Sequence, residues 1–145
     1  MAEYLNGQII SLKSFHGKYV AAENTGKANA NRQRVGTWEK FIVELVSGSK
    51  IGLKSFKWNK YLVAESNGEV NANRPKLGGW ETFDVEKVSD TKIGLKTAHG
   101  KYVIAFPNGQ LKGTARARKA WEEFEVGFPD GMIFYFFLFF QFLCF

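Results

Sequence analysis

Basic side chains recur at corresponding places along the chain. Arg32 and Arg34, then Arg74 and Lys76, then Arg116, Arg118 and Lys119 each stand between two short apolar segments, while Lys57 and Lys60 crowd another turn. Cations gathered in this way attract and steer an acidic partner; they do not make or break bonds. Glu23, Glu39, Glu65, Glu69 and Glu81 are interspersed among them, so a merely solubilising surface is the competing reading. Asn29, Asn31, Asn71 and Asn73 offer amides that could hold a sugar or a partner's backbone, although short amides beside turns more often satisfy neighbouring peptide groups. Trp58 has no matching tryptophan elsewhere in the chain and reads as a contact anchor at a hairpin tip, against the alternative of a packed loop residue. His16 and His99 each precede a glycine and are expected to be exposed turn residues.

The groupings that carry catalysis are missing. The sequence contains no Gly-rich phosphate loop ending in Lys-Ser/Thr, no Gly-x-Ser-x-Gly elbow and no His-Glu-x-x-His. Glu122 and Glu123 are adjacent, so on a strand they point to opposite faces; they are expected to be solvated. No enzyme, metal site or cofactor is therefore expected. Cys144 is the only cysteine, which excludes an intrachain disulfide scaffold and a cysteine-rich zinc cluster.

The 145 residues suit one domain, and 45% hydrophobic with 23% charged residues is a globular composition. The first residues lack a basic start followed by an apolar run, and no Asn-x-Ser/Thr sequon occurs, so a cytoplasmic location is expected. A net charge of +6 suits a negatively charged filament, an anionic membrane surface or nucleic acid, and charge alone does not choose among them.

The elements that must position these groups repeat. Ile10-Ser11-Leu12-Lys13-Ser14 returns as Ile51-Gly52-Leu53-Lys54-Ser55 and as Ile93-Gly94-Leu95-Lys96-Thr97. Trp38, Trp80 and Trp121 recur at intervals of about 42 residues, each followed by Glu, Phe and Val at fixed spacing. Ile-x-Leu and Phe-x-Val place apolar side chains on one face of a strand, and no stretch of residues 1–131 sustains a helical period. Asn67-Gly68, Asn108-Gly109 and Thr25-Gly26 mark hairpin turns.

Four segments in each of three blocks, about 8–49, 50–91 and 92–131, predict twelve strands and an all-β fold, a β-trefoil. The chain is too short to supply a fourth propeller blade. The expected core is Ile10, Leu12, Val20, Ala22, Phe41 and Val43 with their counterparts, and Tyr19, Tyr61, Tyr102 and the three spaced tryptophans are expected to line the base of the hairpin cap.

Leu12 to Glu23, Asn29-Ala30-Asn31-Arg32 and Gly36-Thr37-Trp38-Glu39-Lys40-Phe41 resemble the repeat unit of the fascin family, as do the matching residues of the second block. The resemblance covers about residues 8–128. It implies a β-trefoil that binds actin filaments and is cytoskeleton-associated. In size the chain is similar to the hisactophilins, single trefoils that bind actin and anionic membranes, and not to the fascins, which carry four trefoils and bundle filaments. It departs from hisactophilins in having only two histidines, so the cations above must do any binding, with nucleic acid not expected as a partner. Lys112-Gly113-Thr114-Ala115 and Phe106 depart from the repeat in the third block. Similar trefoils attached to bacterial carbohydrate-active enzymes keep a carbohydrate-binding module as the alternative. The Gln-x-Trp signature of ricin-type lectins is absent.

Residues 132–145 break the pattern with an uncharged, Phe-rich run. As a helix it would reach about 21 Å, short of the ~30 Å hydrocarbon layer. A shallow membrane-dipping or self-associating segment and read-through sequence outside the ancestral domain are its readings, the second preferred.

Overall fold

Each Ile-x-Leu and Phe-x-Val segment puts two apolar side chains on one strand face, and in the computed structural model those faces meet around one interior. The structure describes residues 1–133. The described residues form twelve strands, as expected: β1 (Ile9–Ser14), β2 (Tyr19–Ala22), β3 (Ala28–Arg32), β4 (Phe41–Ser47), β5 (Lys50–Ser55), β6 (Tyr61–Ala64), β7 (Val70–Arg74), β8 (Phe83–Lys87), β9 (Lys92–Lys96), β10 (Tyr102–Ala105), β11 (Leu111–Ala115) and β12 (Glu123–Gly127).

Six of these strands close on themselves. β1 pairs with β12 and β4, β4 with β5, β5 with β8, β8 with β9, and β9 with β12, every pair antiparallel. Closure gives each of the six a neighbour on both sides, which removes the unpaired edges that invite other chains. Inside, Phe41, Phe83 and Phe124 are almost wholly buried together with Ile10, Ile51, Ile93, Leu12, Leu53 and Leu95. The expected core residues Ile10, Leu12, Val20, Ala22, Phe41 and Val43 are all buried. In β2 the pairing with β3 shifts register between Tyr19 and Ala21, and Val20, Ala21 and Ala22 are buried in succession where strict alternation would expose one of them.

The other six strands form three hairpins, β2–β3, β6–β7 and β10–β11. They interlock in a cycle. Gly26 O accepts from Ala72 N at 2.8 Å, Gly68 O from Gly113 N at 2.7 Å and Gly109 O from Ala30 N at 2.7 Å. Gly109 shows why the hairpin tip must be glycine: its φ is +90°, and a Cβ there would lie 2.7 Å from the Cβ of Asn31.

A one-turn helix, α1 (Ala2–Leu5), adds what periodicity could not reveal in four residues. It buries Ala2 and Leu5, and its Tyr4 ring stands edge-on to Phe128. Gln8, 1% exposed, donates from Nε2 to Ile133 O and accepts at Oε1 from Ile133 N, both at 2.8 Å. Met132 and Ile133, expected to stand outside the domain, are thus attached to it through Tyr4 and Gln8. From residue 134 onward the Phe-rich run lies outside the described residues. Among the described residues no helix is long and apolar enough to cross a membrane.

Candidate binding surface

Strand pairing decides which cations are available. Arg32 ends β3 opposite Tyr19 of β2, within reach of Glu23 just beyond that strand. Its Nη2 donates to both oxygens of Glu23 at 2.7 and 2.6 Å, and Nη1 donates to Asn31 Oδ1 at 2.5 Å. Glu39 lies 3.9 Å away on the other side, and the guanidinium covers the Trp38 ring at 5.8 Å. Arg74 repeats the arrangement, with Glu65 at 2.6 Å, Asn73 Oδ1 at 2.6 Å and Glu81 at 4.0 Å. Arg118 is folded over Gly94 and pairs with Glu86 at 3.1 Å and Glu123 at 2.9 Å. These three arginines, expected in one exposed girdle, are occupied within the fold. The register brings carboxylates distant in sequence beside them.

Arg34, Lys57, Lys76, Arg116 and Lys119 are exposed, and Lys60 is half-buried. Among the described residues none of these six takes part in an ion pair. Lys57 Nζ stands 5.7 Å from the centre of the Trp58 ring. Arg34, Lys76, Arg116 and Lys119 follow β3, β7 and β11, so the cationic surface is narrower than the sequence suggests and rests on loops.

Carboxylates that sequence reading placed in solvent are instead structural. Glu39, Glu81 and Glu122 are only 6, 8 and 5% exposed. Each accepts from the main-chain N–H three residues earlier, at Gly36, Gly78 and Lys119, which caps the short turn carrying the tryptophan. Glu122 is therefore no solvated partner of Glu123, because it lies in the 3-10 turn Ala120–Glu122 and not on the strand.

Two of the three repeat tyrosines also find carboxylates. Tyr61 donates its hydroxyl to Glu44 Oε2 at 2.6 Å, and this bond, with burial and the nearby negative charge, pushes the phenol up to about 12. Tyr102 donates to Glu86 Oε2 at 2.6 Å and is raised in the same way. The Tyr102 bond and then Arg118 hold the Glu86 carboxyl below its ordinary value. The outer face of each tyrosine carries a lysine: Lys13, Lys54 and Lys96 each stand 5.7 Å from the ring centre of Tyr19, Tyr61 and Tyr102.

The spaced tryptophans do not line the base of the cap. Trp80 and Trp121 are 43 and 36% exposed and Trp38 is half-buried, because they lie in turns outside the barrel. Each packs against a ring from another turn: Trp121 on His16 at 5.0 Å, Trp80 on His99 at 4.9 Å and Trp38 on Trp58 at 5.3 Å. Trp58 is half-buried and does have counterparts, in histidines; its indole N–H donates to Ala22 O at 2.8 Å. His16 and His99 are half-buried and hydrogen-bonded instead of freely exposed.

Three of the four asparagines are used locally. Asn31 and Asn73 accept from arginines and Asn71 donates to Glu65 at 3.0 Å. Asn29 Oδ1 is buried with no hydrogen-bond partner. Among the described residues no three His, Cys, Asp or Glu side chains gather in a metal-binding group.

The model of a family described as a domain of unknown function, DUF7910, matches residues 42–127. No curated protein matches the chain.

Proposed function

The chain belongs to that family, a domain of unknown function (DUF7910), and from this premise we propose that it is a fascin-like β-trefoil that binds actin filaments without catalysis. The trefoil reading is supported by the six-strand barrel together with three hairpins that interlock cyclically. Matching side chains of the three sequence blocks also take matching positions, as in the three lysine–tyrosine contacts.

The observation that carries the binding reading is the segregation of cations. Arg32, Arg74 and Arg118 are committed to carboxylates, whereas Arg34, Lys76, Arg116 and Lys119 stay exposed on loops outside the strands. Exposed, unpaired cations keep their field available to an acidic filament, and the interaction should weaken as salt rises. Lys57 and Lys60 on the β5–β6 turn extend the same surface. An anionic membrane surface is a second partner of matching charge. The proposed setting is cytoplasmic and cytoskeletal. Crosslinking would need two filament sites on one particle or a dimer. Co-sedimentation with actin filaments over a salt series tests the reading: salt-sensitive pelleting is expected, and absence from the pellet at low salt refutes it.

A further inference from the structure

Where the three hairpins meet, they leave a cavity of about 190 Å³ whose rim carries Lys27, Asn29, Glu69, Asn71, Gln110 and Lys112. Isolated bridges tie Lys27 to Asn71, Asn29 to Gln110 and Glu69 to Lys112 around it. The floor is apolar: Ala28, Val70 and Leu111, each opposite an alanine of its own hairpin, are 8, 5 and 6% exposed. Asn29, one of the rim residues, has its Oδ1 turned inward, buried and without a donor, a state that native proteins rarely leave unrelieved.

We propose that this cavity binds one polyhydroxylated ring, the terminal residue of a glycan or a free cyclic polyol. The rim mixes donors, the two lysine ammoniums, with an acceptor, the Glu69 carboxylate, and its amides, Asn29, Asn71 and Gln110, carry both kinds of group. Hydroxyl groups are the neutral partners that also donate and accept. Two ammoniums against one carboxylate leave little net charge for a strongly ionic ligand, while the C–H face of a ring can cover the apolar floor. The cavity is far larger than the space one water needs and opens to solvent, so a ring can seat on its floor while the rest of a glycan stays outside.

The symmetry of the cap is broken where it matters. Lys27, Glu69 and Gln110 occupy matching places in the hairpins, as do Asn29, Asn71 and Lys112. A ring therefore meets different chemistry on each side and takes one orientation. The site shares no residue with the proposed filament surface, so either reading can fail alone.

Amide nitrogen–proton correlation spectra of the full chain, titrated separately with glucose, galactose, N-acetylglucosamine and myo-inositol, test the proposal. Saturable shifts confined to residues 27–29, 69–71 and 110–112 are expected for at least one of them, with millimolar affinity. Asn29→Leu and Glu69→Gln should each weaken binding about tenfold or more. Glu69 is exposed, so Glu69→Gln keeps the test decisive even where Asn29→Leu perturbs folding. A glycan array separates the sources: hits on glycans ending in the shifted sugar assign the site to a glycan terminus, and shifts without array hits assign it to a free polyol. No saturable shift with any of the four, shifts clustered elsewhere, or binding unchanged in Glu69→Gln would overturn it.

Discussion

The indole nitrogen of Trp58 donates to the main-chain carbonyl of Ala22 at 2.8 Å, the place that an imidazole fills elsewhere. His16 Nε2 lies 3.0 Å from Ala105 O and His99 Nε2 lies 3.0 Å from Ala64 O. Each bond ties the turn leading into one hairpin to the last residue of the first strand of another, and each ring is packed by a tryptophan.

Chemical equivalence of indole and imidazole at this place has a direct consequence. Trp58→Ala loses both the packed ring and the donor and is expected to cost about 2–4 kcal/mol. Trp58→His restores the donor and should recover a large part of that loss. Denaturant midpoints of the two variants decide the matter: a histidine variant no more stable than the alanine one contradicts the equivalence.

Glycine at the hairpin tips is needed for space as well as for backbone angle. At Gly17, in the β1–β2 turn outside the three hairpins, φ is +78° and an added methyl would meet nothing within 4 Å, whereas at the hairpin tip Gly109 the methyl would meet Asn31. Gly17→Ala should therefore cost about 1–2 kcal/mol from backbone strain alone. Gly109→Ala should cost roughly 1–3 kcal/mol more from overpacking. Equal losses in equilibrium unfolding would show that the cap does not interlock through this tip.

Tyr61 supplies a pH dependence. Its phenol is raised from 10.0 to about 12, chiefly by donating to Glu44. The folded state therefore holds this proton more tightly than the unfolded chain, so the stabilisation is complete below pH 10 and is lost as pH rises towards 12. Ultraviolet difference titration should show a step near the upper value that Tyr61→Phe removes, and Glu44→Ala, which takes away the acceptor, should move that step down. A step unmoved by Glu44→Ala contradicts the hydrogen bond as its cause.

Occupied and exposed cations should separate in stability measurements. Arg74→Met strands Glu65 and Asn73 and is expected to destabilise by about 1–3 kcal/mol, whereas Lys76→Met should stay within about 0.5 kcal/mol of the parent. Similar effects at the two positions in chemical denaturation would contradict the division of the basic residues.

The strands were legible because Ile-x-Leu, Phe-x-Val and Asn-Gly each act over a few residues, and period two has one structural solution for a buried face. The availability of a charge was not legible in the same way. Arg32 meets Glu23 only through the β2–β3 register, and Arg118 reaches Glu86 from 32 positions along the chain. Burial of Glu39 and Glu81 depends on short turns whose capping hydrogen bonds exist only after the chain has turned. Trp58-Asn59 falls in the repeat where the other blocks carry His16-Gly17 and His99-Gly100, but residue types alone do not show that all three rings reach a main-chain carbonyl at the same point of the fold. The polar cavity is assembled from three hairpins, and no single segment carries its signature.

Filament binding through the exposed loop cations is tested most directly by co-sedimentation of the full chain with actin filaments across increasing salt, beside a variant carrying Arg34→Glu, Lys76→Glu, Arg116→Glu and Lys119→Glu. The parent is expected to pellet with filaments at low salt and to be released as salt rises, while the folded variant stays in the supernatant. A parent that never pellets, or a variant that pellets equally well, would contradict it.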